Sequence, residues 1–305
     1  MVKYIFGPVP SRRLGLSLGV DLIPPKTCSY DCLYCQIGKT TCKAIEPCAY
    51  VPVEAVIAEL DETLAKVQPD YVTFSGSGEP TLHAGLGQLI AYIKERTRAK
   101  VAVLTNGSLL YRPEVRERLL QADMVMPTLS TVREETYRAI HQPHDQLNVA
   151  SLLSGLRSLR KSYRGQFFIE VMLLAGFNDR DEEIEALRQG VLEIAPDRVQ
   201  LNTVVRPPAY AKAIPLDREK LEYIKRVLGE CAEIIATAPI REKQHFQGAL
   251  SAAVLEMARR RPVTVEDVAG ALDAPPREVD KTVKALVHNG ELRLQTHIGK
   301  DYYTA

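Results

Sequence analysis

The chain has 305 residues, of which 46% are hydrophobic and 25% charged. That balance is ordinary for a globular protein with a real core, built as one large domain or two unequal ones. A formal net charge of +1 gives no long-range pull toward nucleic acid or anionic membrane, and no apolar run approaches the roughly 18 residues of a membrane-spanning helix.

The start meets Gly7 and Pro8 before any signal-like apolar stretch, so the chain is expected in the cytoplasm with its thiols reduced. Ser17 to Ile23 reads as a first strand, stopped by Pro24-Pro25. Arg12 and Arg13 precede it as candidates for a substrate anion or for plain surface positions. Next comes Thr27-Cys28-Ser29-Tyr30-Asp31-Cys32-Leu33-Tyr34-Cys35-Gln36, with cysteines spaced C-x3-C-x2-C. A loop that short can turn three thiolates toward one point. Such a set suits a cuboidal iron–sulfur cluster with one iron unligated, or a metal with an open position. The plainer readings are a zinc knuckle or three ordinary thiols. Cys42, Cys48 and Cys231 are spare thiols, either a second cluster or redox pair, or small apolar filler.

From residue 52 the pattern alternates between helix and strand periods. Helices are predicted over 52–66, 86–97, 113–121, 148–163, 181–194 and 217–236. Strands are predicted over 71–74, 100–105, 123–129, 166–174 and 198–205. With the first strand this makes six strand–helix units and a parallel sheet. Periodicity alone leaves an open (β/α)6 barrel and a doubly wound sheet equally available. In parallel α/β barrels the active site lies at the carboxyl ends of the strands. The second strand runs into Ser75-Gly76-Ser77-Gly78-Glu79-Pro80, a loop whose small residues let backbone approach a ligand.

The tail carries a linker over 239–248 and helical patterns over 250–260, 264–272 and 276–289. A strand pair around Gly299 follows, the layout of a winged helix-turn-helix. Residues 249–305 hold eight Lys/Arg and eight Asp/Glu. A net of zero makes a poor counterion-releasing surface, which favours docking of protein or substrate over nucleic acid.

The cysteine spacing, with Tyr34 before the last Cys, resembles the radical S-adenosylmethionine (SAM) superfamily. The resemblance implies that Cys28, Cys32 and Cys35 hold a [4Fe–4S] cluster whose fourth iron takes SAM. Reductive cleavage of SAM would then start radical chemistry on an unidentified substrate. It further implies that the Tyr34 backbone meets the adenine. Gly76, Ser77, Gly78 and Glu79, similar to the family's GGE motif, would contact the SAM amino group. Thr105-Asn106-Gly107 is similar to the family's TNG, with Asn106 near the cofactor and a plain turn as the alternative. Thr128 stands where relatives carry a hydroxyl near the ribose, and Ser130 replaces their Asp. Val204 and Val205 would flank the adenine or simply pack.

Glu170 sits in an apolar strand and needs a partner, facing either the lumen near the cofactor or a salt bridge at the barrel base. Asn202 and Thr203 lie at the site end of the last strand, Asn202 is counted with Glu170 among the expected cofactor-binding residues, and Arg206 is a substrate-anion candidate. His141 and His144 are substrate-side candidates or solvated loop residues. The fold implied is a partial (β/α)6 TIM-like barrel over 1–238, followed by a winged-helix-like domain over 249–305. From its Pro8-Val9-Pro10-Ser11-Arg12-Arg13 opening onward, over roughly residues 7–236, the chain is most similar to the wyosine-base synthase-related group. In that group tRNA-base modification is one reading, although this chain has no Cys before Cys28. The implied partners are a low-potential electron donor such as ferredoxin or flavodoxin, a substrate docked by the tail (RNA or protein), and no membrane. A metal-sensing DNA-binding regulator is the competing class.

Overall fold

The structure, a computed structural model, describes residues 4–11, 13–235 and 250–305. The predicted linker and Arg12 lie outside the described residues. Among the described residues, eight strands form one sheet. Strand β1 (Ile5–Ser11) and β2 (Gly15–Val20) make an antiparallel hairpin at one edge. A two-residue pair, β3 (Thr27–Cys28) with β4 (Cys42–Lys43), braces the cysteine loop. Then come α1 (Val53–Leu64), β5 (Tyr71–Phe74), α2 (Leu86–Arg96), β6 (Lys100–Thr105), α3 (Pro113–Leu119) and β7 (Met124–Pro127). Helices α4 (Glu134–His141) and α5 (Val149–Ser162) lead to β8 (Gln166–Leu173). The unit ends with α6 (Asp181–Ile194), β9 (Arg198–Thr203), α7 (Arg218–Leu228) and β10 (Ala232–Ile234).

From β2 to β10 every neighbouring pair in the sheet is parallel, and the strands follow in sequence order. A doubly wound sheet reverses its strand order at a switch point. The uninterrupted order here is consistent with a partial barrel, whose edges β1 and β10 do not pair among the described residues. Alternation of side chains along each strand explains the two layers of packing. One face buries Val72, Val101, Val103, Val125, Ile169 and Leu201 against the helices. The other lines a lumen.

The lower lumen is plugged by Leu14, Ala102, Met124, Met126 and Phe168. The upper lumen packs Leu33, Met172, Leu174 and Val204 beneath the cysteine loop.

Three expectations are corrected. The first strand stops at Val20; the Asp21 N–H still donates to the Tyr4 carbonyl, and its carboxylate accepts from Ser77 in the next loop. Residues 5–11 form an edge strand that Pro8 and Pro10 hid, since proline is tolerated only where an N–H is not needed. The helix predicted over 217–236 ends at Leu228, where Gly229 adopts φ +89°. The chain then forms β10 beside β9, adding a seventh parallel strand. Helix α4 is a further element that the periodic pattern did not mark.

The C-terminal residues form α8 (Leu250–Arg260), α9 (Val265–Leu272), α10 (Pro276–His288) and the hairpin β11 (Arg293–His297) and β12 (Lys300–Thr304). They enclose their own core, including Val254, Val268, Val279, Val283 and Tyr303. No helix among the described residues is long and apolar enough to cross a membrane.

Candidate active site

Cys28, Cys32 and Cys35 are half-buried free thiols at the carboxyl end of the sheet. All three open on one cavity of about 1210 Å³, which runs down the lumen. The loop is held from several sides. Leu33 N–H donates to the Ile140 carbonyl at 2.9 Å, and Asp31 N–H to that of His141 at 3.0 Å. The Asp31 carboxylate accepts from Thr40 N–H and from the Tyr210 hydroxyl.

Two nitrogens approach cysteine sulfurs. Asn106 Nδ2 lies 3.5 Å from Cys28 Sγ, and His141 Nδ1 lies 3.4 Å from Cys32 Sγ. Burial, then the Glu79 carboxylate, push the Cys28 thiol up to about 12. Burial raises Cys32 and Cys35 as well.

Of the residues predicted to meet SAM, all but Ser77 line this cavity. Tyr34 presents a backbone N–H and carbonyl that make no hydrogen bond among the described residues. Its hydroxyl lies 3.3 Å from His141 Nδ1. Ser77 is a correction: its N–H and hydroxyl both donate to Asp21, the hydroxyl at 2.6 Å, so it braces the loop from behind.

The glycines of this loop serve packing as much as ligand access. A Cβ on Gly78 would stand 1.9 Å from the Thr27 carbonyl oxygen, and one on Gly76 2.5 Å from the Asp21 carboxylate. The glycine loop is thus packed tightly against the residue preceding Cys28.

Glu79 is buried, and its carboxylate accepts four hydrogen bonds. Oε1 takes Thr81 N–H (3.1 Å), Thr81 hydroxyl (2.6 Å) and Thr105 hydroxyl (2.5 Å). Oε2 takes only Asn106 N–H (2.7 Å), which leaves a lone pair on that oxygen. Burial raises its pKa, with the four donors pulling the other way. Asn106 is therefore more than a turn: its backbone binds Glu79, and its amide binds Ser29 Oγ and reaches Cys28 Sγ. Thr128 is buried at the cavity wall. Ser130, which stands in place of the relatives' Asp, stitches β7 to β8 by accepting Met172 N–H.

Other candidates fall elsewhere. His141 is no loop residue. It is 1% exposed at the end of α4, packed edge-on or tilted among Tyr30, Tyr34 and Tyr137. Burial holds its pKa down to about 3, so the ring is neutral. The His144 ring accepts from Gln146 N–H in a local turn, while its backbone N–H donates to the Ser29 carbonyl of the cysteine loop at 2.9 Å.

Glu170 pairs with Arg13 inside the lumen, and Asn202 donates to the same carboxylate oxygen. Thr203 spends its hydroxyl on the Leu173 carbonyl. Arg206 is committed to Asp267 and the Pro262 carbonyl in the C-terminal unit. Cys42 and Cys48 are exposed and away from the cavity, while Cys231 packs against the core. Among the described residues, no three of His, Cys, Asp and Glu converge as a single-ion site.

Sequence reasoning missed Asp21 and the role of the C-terminal unit. Asp21 accepts from Ser77 on one side and from Arg260 Nη1 at 2.6 Å on the other. The Tyr302 hydroxyl donates to the Val205 carbonyl at 2.6 Å, and His297 approaches that of Val204. Helices α8 and α9 therefore bridge the β2 side of the mouth to the β9 side, and Met257 and Leu272 join the cavity wall. The only hint in the sequence was an acidic residue at the end of the first strand.

The sequence profile of the Radical SAM superfamily matches residues 22–187. The chain belongs to this superfamily, enzymes that bind a [4Fe–4S] cluster and SAM. More narrowly, a UPF0026 protein of Methanocaldococcus jannaschii is 32% identical over 308 residues, covering 98% of this chain and 94% of that protein, so the chain shares that family too. A protein of Brachyspira hyodysenteriae named GTPase Obg is 38% identical over 295 residues. That match covers 95% of this chain but spans only 43% of the other protein. Among solved structures, TYW1 with a lysine–pyruvate adduct bound shares the fold at a TM-score of 0.52. Its identity is 20%, over 73% of this chain and 75% of that one.

Proposed function

We propose that Cys28, Cys32 and Cys35 ligate three irons of a [4Fe–4S] cluster, and that SAM occupies the cavity beside it. The observation carrying this reading is that three half-buried thiols and the Gly78-Glu79 loop open on one cavity at the carboxyl ends of a parallel sheet. The Asn106 amide N–H near Cys28 Sγ also favours a thiolate there, as hydrogen bonds to cluster sulfurs do. A cluster held by Cys28, Cys32 and Cys35 would supply the electron for reductive cleavage of SAM.

The protein supplies position and shielding. Glu79 Oε2, with the backbone of Gly76 and Gly78, offers acceptors for the SAM ammonium. Asn106 holds Glu79 and the cysteine loop at one fixed spacing. The Tyr34 backbone offers a donor and an acceptor to the adenine, beside the apolar Val204, and Thr128 offers a hydroxyl to the ribose. Glu170 and Asn202, expected among the cofactor contacts, are bound up with Arg13 and are read here as the substrate side of the lumen.

The unit over 1–238 is read as a partial (β/α)6 TIM-like barrel. The unit over 249–305 is read as a winged-helix-like domain that walls the mouth and leaves the mixed charges of α10 outward for substrate docking. A low-potential donor such as ferredoxin or flavodoxin would deliver the electron. Anaerobic cluster reconstitution, followed by an assay for 5′-deoxyadenosine with SAM and dithionite, tests the reading. Cys32→Ala is expected to lose cluster and product together, and retention of both would refute the ligand assignment.

A further inference from the structure

Arg13 is a cation that the SAM site leaves unused. It lies in the β1–β2 turn, outside the matched segment 22–187. Its neighbour Leu14 plugs the lower lumen against Met124, Met126 and Phe168. Arg13 Nη2 pairs there with Glu170 Oε1 on β8, and Asn202 Nδ2 donates to the same oxygen at 3.2 Å. The two charged side chains are 16% and 20% exposed, and both face the cavity. Apolar side chains lie below this pair, and Met172 and Val204 lie above it. The pair is the charged contact between these apolar side chains, in the space where a substrate of the SAM site would sit.

An ion pair kept only for the fold would spend its atoms on its own partners, because an imperfectly satisfied buried pair stabilises little. This one leaves atoms unspent toward the cavity. Glu170 Oε2 accepts no hydrogen bond among the described residues. Arg13 Nε donates none, and Nη1 has only the Met126 thioether at 3.2 Å, a weak acceptor.

We infer that Arg13, Glu170 and Asn202 form the substrate anchor of the lumen and that it takes the zwitterionic head of a free α-amino acid. The carboxylate meets the planar guanidinium fork, and the ammonium meets Glu170 Oε2. Charge balance selects this head group. A phosphate would set surplus negative charge against Glu170, and a simple amine would face Arg13. A head with one charge of each sign satisfies both. The inference rests on the radical SAM reading and names the substrate class of that same site.

The test is calorimetric titration of the reconstituted, SAM-bound protein with the twenty amino acids, alongside acetate, ethylamine and inorganic phosphate. At least one amino acid should bind more tightly than all three single-sign probes. Arg13→Gln and Glu170→Gln should each weaken it by about 10- to 100-fold, the loss of one charged hydrogen bond. Arg13→Lys, which keeps the charge but not the fork, should fall between. Iron content and SAM affinity should stay at the wild-type level in all three variants.

Four results would overturn the anchor: acetate or phosphate binding as tightly as any amino acid, no amino acid binding, variants that bind like the wild type, or variants that lose SAM affinity instead. None of these readouts needs turnover. A failure to form 5′-deoxyadenosine therefore strikes the radical SAM reading separately.

Discussion

Gly78→Ala probes the joint between the glycine loop and the cysteine loop. The new methyl carbon would stand 1.9 Å from the Thr27 carbonyl oxygen and 2.5 Å from Ile23 Cγ2, where ordinary contact begins at 3.4 Å. The gap must open by about 1.5 Å, the difference of the first and last of these distances. The obstructing atom is backbone, so no rotamer change relieves it. Thr27 is bonded to Cys28, and β3 is paired to β4, so the displacement passes straight to the first thiol. Overpacking of this kind costs about 1–3 kcal/mol, a sizeable part of the roughly 5–15 kcal/mol that holds a domain folded. Urea denaturation, iron content and SAM affinity measured on the same preparation are the assay. The expected result is a lower urea midpoint, less iron per chain and weaker SAM binding. Gly176→Ala is the control: nothing lies within 4 Å of its Cβ, so only its φ of +78° is penalised, and iron content should not change. A Gly78→Ala protein with full iron and wild-type SAM affinity would refute the packing argument.

Other consequences follow from the same contacts. Glu79→Gln turns one acceptor into a donor among four donors and should cost about 1–3 kcal/mol. Its SAM affinity should fall while Cys28 remains in place, checked by titration against a Glu79→Asp protein. Burial alone would raise the Asp267 carboxyl, but Arg206 and Arg261 outweigh it and hold the group below its usual range. A carboxyl depressed in the folded state stabilises above its unfolded value of about 3.9 and loses that contribution as pH falls through the folded value. The C-terminal unit should therefore loosen from the mouth only in acid. Limited proteolysis across pH should detect this, and Asp267→Asn should remove the pH dependence. Cys42→Ser with Cys48→Ser should leave iron content unchanged, since both thiols are exposed and off the cavity wall. Lost iron in that double variant would reinstate a second cluster.

Much of the site could be read from local spacing. C-x3-C-x2-C and Gly78-Glu79 are contiguous, and their chemistry depends on what a short loop can bring to one point. Strands with a continuous apolar run, such as 100–105 and 166–173, were legible because burial on both faces leaves that pattern. The edge strand at 5–11 was hidden by its prolines. Helix α7 was extended too far because the apolar residues of β10 continue its period past Gly229.

The sequence by itself determined which residues have cluster-binding and cofactor-binding chemistry and in what order strands and helices alternate, because both depend on residue type and near-neighbour spacing. Only the tertiary structure decided that Ser77 faces away from the cavity while Arg13 faces into it. It alone decided that Asp21 joins the glycine loop to Arg260 and that the C-terminal unit walls the mouth. Those facts are contacts between residues as far as 239 positions apart. Such contacts are set by how the sheet curls and which edges it leaves open, and no local pattern in the chain encodes them.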